Sequence, residues 1–172
     1  MALQAPIDRE VFFPEGDIIV SKTDLKGRIT YANKTFCQIA GYHEAELLGQ
    51  PHSILRHPDM PRAVFKLLWD TIGSGKEIFA YVKNITRSGE YYWVFAHVTP
   101  SFDRQKSIVA YHSNRRVPRR DAIKAIVPLY KAVLAEEARH KNGKDALAAG
   151  VDCVMNALKV QGKTYEEFVL KL

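Results

Sequence analysis

Three consecutive β-rich runs in the second half of the chain constrain its fold most. Residues 78–86 (IFAYVKNIT) are aromatic and β-branched. Ser88-Gly89 then supplies a tight turn, and residues 91–100 (YYWVFAHVTP) form a second, longer run. After the loop 103–106, residues 107–117 make a third. Runs joined by such short connections pair as antiparallel neighbours. An earlier pair, residues 17–23 and 28–32, flanks the turn Asp24-Leu25-Lys26-Gly27 and reads as a hairpin.

Short helices fill the gap between hairpin and meander. Asn33 can cap a helix over 34–40 that Gly41 ends. Residues 43–48 make another turn or two before Gly49, and a third short stretch leads to Arg56. Asp59 precedes Met60-Pro61 as an N-cap precedes a first-turn proline. Ala63, Val64, Leu67, Leu68 and Ile72 then recur at helical spacing, and Gly73 and Gly75 close the helix. Two strands, short helices and three strands predict an α+β fold: a five-stranded antiparallel sheet with short helices on one face. A helical C-terminal extension follows over 118–172, with breaks near Asn142-Gly143 and Gln161-Gly162. Residues 1–16, broken by Pro6, Pro14 and Gly16, read as an N-terminal cap, and 17–117 as the main domain.

With 47% hydrophobic residues, including 8 Phe, 8 Tyr and 2 Trp, a chain of 172 residues builds a core without staples. Cys37 and Cys153 form no CxxC pair and suggest neither a disulfide framework nor a metal site. No basic-then-apolar leader and no membrane-length apolar run is present, so a soluble cytoplasmic protein without membrane insertion is expected. The net charge of +6 gathers partly in Arg115, Arg116, Arg119 and Arg120. Without a nucleic-acid-binding signature, this cluster reads as a solvated basic hinge or one that docks on an acidic partner. No catalytic motif is found, and a non-enzymatic role is expected.

The segments TDLKGRITYANKTFCQIAGY, EAELLGQPHSILRHPDMP and VKNITRSGEYYWV resemble the PAS family over residues 17–117. The run GQPHSILRHPDMP and the later IVPLYKAV are similar, more narrowly, to the FAD-binding PAS domain of bacterial aerotaxis receptors. That resemblance implies a sheet folded around a cofactor pocket walled by the short helices. Changes of state there would pass through the sheet to flanking helices. One departure stands out: Ile78 and Ala80 occupy positions where the aerotaxis pattern has tryptophan and glycine.

Candidate site residues follow from both readings. Pro58 disfavours helix at His57, so Arg56 and His57 sit on an extended corner beside a helix N-terminus. A guanidinium, an imidazole and free amides suit a phosphate or pyrophosphate. The residues alone favour the plainer reading, with Arg56 paired to a local carboxylate, His57 an ordinary partly exposed histidine and Asp59 only a helix cap; the resemblance reverses that preference for Arg56 and His57. Asn84 inside a β-branched strand can donate and accept toward a flavin edge, or bond backbone at the strand end. By alternation Val82, Ala80 and Ile78 share its face. The resemblance turns Tyr92, Val94 and Ala96 inward and leaves Trp93 outside. Phe65 and Trp69 are candidate aromatic walls or simply core. The resemblance thus implies Asn33, Arg56, His57, Asp59, Phe65, Trp69, Asn84 and Tyr92 as contacts to FAD, with no catalytic or metal residues.

The function so implied is a redox or energy (oxygen-related) sensor in bacterial signal transduction or chemotaxis. Its expected partners are a chemotaxis receptor, a histidine kinase or another signalling protein. The alternatives are a cofactor-free interaction module, to which Ile78 and Ala80 point, and a haem or small-molecule sensor using His57, His97 or His112. His43, His52 and His140 are expected at the surface. In the tail, Ala122, Ile126, Leu129, Val133 and Leu134 form an apolar stripe that needs a partner. It could pack on the protein's own sheet, pair in a homodimer or engage another protein.

Overall fold

The computed structural model describes residues 5–172. Strands β1 (Ile19–Thr23) and β2 (Ile29–Ala32) form the predicted hairpin. Gly27 closes its turn at φ 75°, a left-handed conformation that a side chain resists. Helices α1 (Lys34–Ala40) and α2 (Glu44–Leu47), a 3₁₀ turn at His52–Leu55, and α3 (Arg62–Gly73) follow. Strands β3 (Ile78–Ile85), β4 (Tyr91–Phe102) and β5 (Ile108–Arg116) complete one antiparallel sheet in the order β2-β1-β5-β4-β3. The two hairpin strands therefore join the meander through β1 and β5, a long-range pairing that local signals do not contain.

β4 runs two residues past its expected end. Pro100 is tolerated there because β3 stops opposite Val98, so no neighbour on that side requires its missing N–H. The N-terminal stretch also pairs with the sheet: Val11 N–H donates to Tyr91 O and Tyr91 N–H to Arg9 O.

The tail folds into α4 (Arg120–Ala138), α5 (Gly143–Val160) and α6 (Tyr165–Lys171). Asn142 caps α5 and Gly162, at φ 63°, ends it, as the expected breaks require. The apolar faces turn inward: Ile123, Ile126, Tyr130, Val133, Val154, Leu158 and Phe168 share one core with the sheet domain. α5 packs on α3 and α6 on β3. The buried stripe of α4 centres on Ile126, Tyr130 and Val133, while Leu129 and Leu134 are only partly covered. Tyr130 anchors it by donating its hydroxyl to Tyr81 O at 2.7 Å. Trp93 alternates with the inward Tyr92, as expected for the outer face, and is buried in the core that the tail helices share with the sheet.

Candidate functional site

The two most distinctive segments lie side by side. The backbone of Arg56 bridges Asn84 in antiparallel fashion, and His57 N–H donates to Lys83 O at 3.4 Å. Pro58 keeps this corner extended, so it lies along the edge strand β3 like a short extra strand. Met60 is buried and its sulfur accepts from Lys83 N–H at 3.3 Å.

That pairing sends Arg56 and His57 in different directions. Arg56 turns into a cavity of about 270 Å³ between the inner face of the sheet, the 3₁₀ turn and α3. Its guanidinium lies 3.9 Å from the Phe65 ring centroid. Phe65 and Trp69 of α3 and Asn84 of β3 line the same cavity. Four of the eight candidate residues thus converge there. Asn84 is 4% exposed and faces inward with Val82, as alternation requires. The rings of Trp69 and Tyr111 meet edge to face at 5.6 Å, and the Trp69 ring packs against the Gly27 turn.

The other four lie outside the lining. His57, 5% exposed, packs edge-on against Tyr91 and accepts from Asp59 N–H through Nδ1 at 3.1 Å. Burial, then the nearby Lys83 charge, holds its pKa below the usual histidine value. The expected phosphate corner of Arg56 with His57 is therefore not formed, because alternate residues of an extended segment face opposite ways. Asp59 is no helix cap either. α3 begins only at Arg62, and the Asp59 carboxylate pairs with Lys83 Nζ at 2.7 Å. Asn33 caps α1 by accepting from Phe36 N–H, and also accepts from Val20 N–H and donates to Ile18 O. Its amide is spent tying α1 to the hairpin. Tyr92 is fully buried directly opposite Asn84. Ile78 and Ala80 are buried but off the lining, so the departure in that strand alters a neighbouring wall.

Two residues read as surface groups belong to the cavity instead. His52 stacks on Phe36, with 6.0 Å between ring centroids, and its pKa is pushed down to about 3 by burial and then by the Arg115 charge. Arg115, expected in a basic hinge, is 5% exposed and reaches His52 Nε2 at 2.6 Å and Ser21 Oγ at 2.7 Å. A period-two signal was present: Tyr111, Ser113 and Arg115 alternate along β5 and all line the cavity. Of the possible haem ligands, His112 lines the cavity beside Asn114, whereas His97 lies outside it, stacked on Phe79 and bonded to Glu77.

The lining has a distinct chemistry. Aliphatic and aromatic side chains such as Phe65, Leu68, Trp69 and Val82 share its walls with the polar Ser21, His52, Asn84 and Ser113 and the basic Lys26, Arg56 and Arg115, and among the described residues no Asp or Glu contributes to it. Four of its buried polar atoms find no hydrogen-bond partner among the described residues: Thr23 Oγ1, Arg56 Nε, Ser113 Oγ and Arg115 Nη1. Native interiors rarely leave such groups unmatched. All four can donate, so the cavity suits a ligand that offers acceptors or negative charge.

The family model described as the PAS fold matches residues 29–114. The aerotaxis receptor of Escherichia coli (strain K12) is 44% identical over 117 residues, which are 68% of this chain and 23% of the receptor. The nitrogen fixation regulatory protein of Klebsiella pneumoniae is 30% identical over 102 residues, 59% of this chain and 21% of that protein. The light-state structure of the Aureochrome1 LOV blue-light photoreceptor superposes with a TM-score of 0.57 at 26% identity, covering 64% of this chain and 88% of that one. The chain spans less than a quarter of the length of these two curated relatives. With sheet order, inner-face cavity and family match in agreement, the chain belongs to the PAS family.

Proposed function

We propose that this PAS domain binds FAD and senses redox or energy state in bacterial chemotaxis-type signalling. The carrying observation is the cavity: aromatic and aliphatic side chains beside two guanidiniums, with four donors unmatched and no acid in the lining among the described residues. The similarity to the aerotaxis receptor supports the same reading. Bound FAD would supply a ring that accepts and releases electrons. Arg56 would hold the pyrophosphate, Asn84 the polar edge of the ring, and Phe65 and Trp69 its faces. His57 and Asp59 would act as positioning residues that fasten the Arg56 corner to β3. Tyr92 would support Asn84 from the opposite strand.

Among the described residues no helix is long and apolar enough to cross a membrane. A cytoplasmic location, with residues 118–172 as the signalling segment toward a receptor, kinase or second copy, belongs to the proposal. The cofactor-free alternative calls for a pocket filled by side chains, and a cavity of about 270 Å³ speaks against it.

Reconstitution tests the reading. Wild-type protein incubated with FAD and desalted is expected to retain stoichiometric flavin absorbance. Asn84→Ala and Arg56→Ala are expected to lose most of it while keeping wild-type circular dichroism. A wild-type protein that emerges colourless overturns the proposal.

A further inference from the structure

Arg115 brings a positive charge into the cavity, and among the described residues no acid lines that cavity to answer it. It sits on β5 between Ile19 of β1 and Ala96 of β4. Nη2 donates to Ser21 Oγ and His52 Nε2, both neutral partners, whereas Nη1 is buried and finds no acceptor among the described residues. Burial holds the Arg115 pKa down to about 10, so the group stays charged at neutral pH. His52 is neutral and accepts through Nε2, which leaves its own proton on Nδ1. Removing a cation from water without a counter-charge costs several kcal/mol. That cost is recovered when a ligand brings the missing negative charge.

We propose that Arg115 sets the redox poise of the site by favouring the anionic, reduced form of the ligand ring over its neutral, oxidised form. This rests on the flavin reading above. Uptake of two electrons and one proton leaves the reduced ring with one net negative charge. In the assay one dithionite supplies the two electrons and is oxidised to two bisulfite ions. A guanidinium as buried as that of Arg115 stabilises that charge more than one exposed to bulk solvent.

The test compares FAD-loaded wild type with Arg115→Gln and Arg115→Lys. Arg115→Gln is expected to lower the midpoint potential by about 30 mV or more, the equivalent of a tenfold loss in affinity for reduced relative to oxidised FAD. Arg115→Lys, which keeps the charge, is expected to recover most of the shift. In ligand-free protein Arg115→Gln is expected to melt no lower than wild type, because it removes an unpaired buried charge; a purely structural arginine predicts a clear drop. An unchanged potential in loaded Arg115→Gln overturns this inference alone. So does a variant that binds both redox forms more weakly by one common factor, or one whose ligand-free melting point falls. A wild type that takes up no FAD overturns the flavin reading and this inference together.

Discussion

Glu137 is the residue through which the tail grips the sensor domain, and Glu137→Ala should break that grip. The side chain is 8% exposed and accepts from Ala63 N–H at 2.8 Å and Arg62 N–H at 3.1 Å. These are orphan amides at the start of α3, and the local cap residue, Pro61, offers no side-chain bond. A carboxylate from α4 thus caps a helix more than 70 residues earlier in the chain. Gly150 makes room for it: a Cβ there would stand 2.7 Å from Glu137 Oε1 and 3.1 Å from Ala63 Cβ. Loss of an N-cap costs about 0.5–2 kcal/mol, and charge-assisted hydrogen bonds contribute about 1.5–3 kcal/mol. The void left by truncation adds to the loss, so about 3 kcal/mol is a reasonable expectation. For a chain of this size that is about 6–12 °C in Tm. Urea unfolding followed by the fluorescence of Trp69 and Trp93 measures it. Glu137→Gln, which keeps one acceptor oxygen, should lose less, and Gly150→Ala should destabilise by displacing the carboxylate. A Glu137→Ala protein within about 0.5 kcal/mol of wild type, the range of an ordinary surface substitution, would refute the reasoning.

Two further predictions concern the cavity. Gly27→Ala forces a side chain into a left-handed turn, and its Cβ would come 2.8 Å from the Trp69 ring; we expect about 1–3 kcal/mol of destabilisation and a shifted Trp69 emission, and an unchanged melting curve and spectrum would count against the packing described. His52 is depressed to about 3 in the folded state against about 6.5 unfolded, so between these values the unfolded chain binds the extra proton. Its contribution is present above pH ~6.5 and is lost as pH falls toward ~3. The melting temperature of wild type should therefore fall more steeply over that range than that of His52→Gln, and parallel curves would exclude it.

Much of the fold was legible because it is encoded locally. Turn residues such as Ser88-Gly89 and period-two alternation marked the strands. The inward turn of Asn84 followed from counting along β3. What failed were the readings of single polar residues whose partners come from elsewhere in the chain. Asp59 looked like a cap because it precedes Pro61, but Lys83 lies closer and Glu137 serves the helix instead. A sequence signal for Glu137 existed: it continues the buried positions Ile126, Tyr130 and Val133 at spacings of three and four, so a charge on the apolar stripe of α4 could have been flagged. Arg115 stands in a run of exposed arginines, although alternation along β5 separates it from Arg116. Nothing local distinguished His52.

The chain by itself determined the order of elements, the faces of the strands and the family resemblance, because propensity, periodicity and turn chemistry act over a few residues. Tertiary structure decided what the buried charges meet. Burial depends on what a side chain meets, and Arg115 meets β1 and the His52 turn only after the sheet closes in the order β2-β1-β5-β4-β3. The same closure turned a stretch that reads RHPD into two halves, with Arg56 in the cavity and His57 behind the strand that holds it.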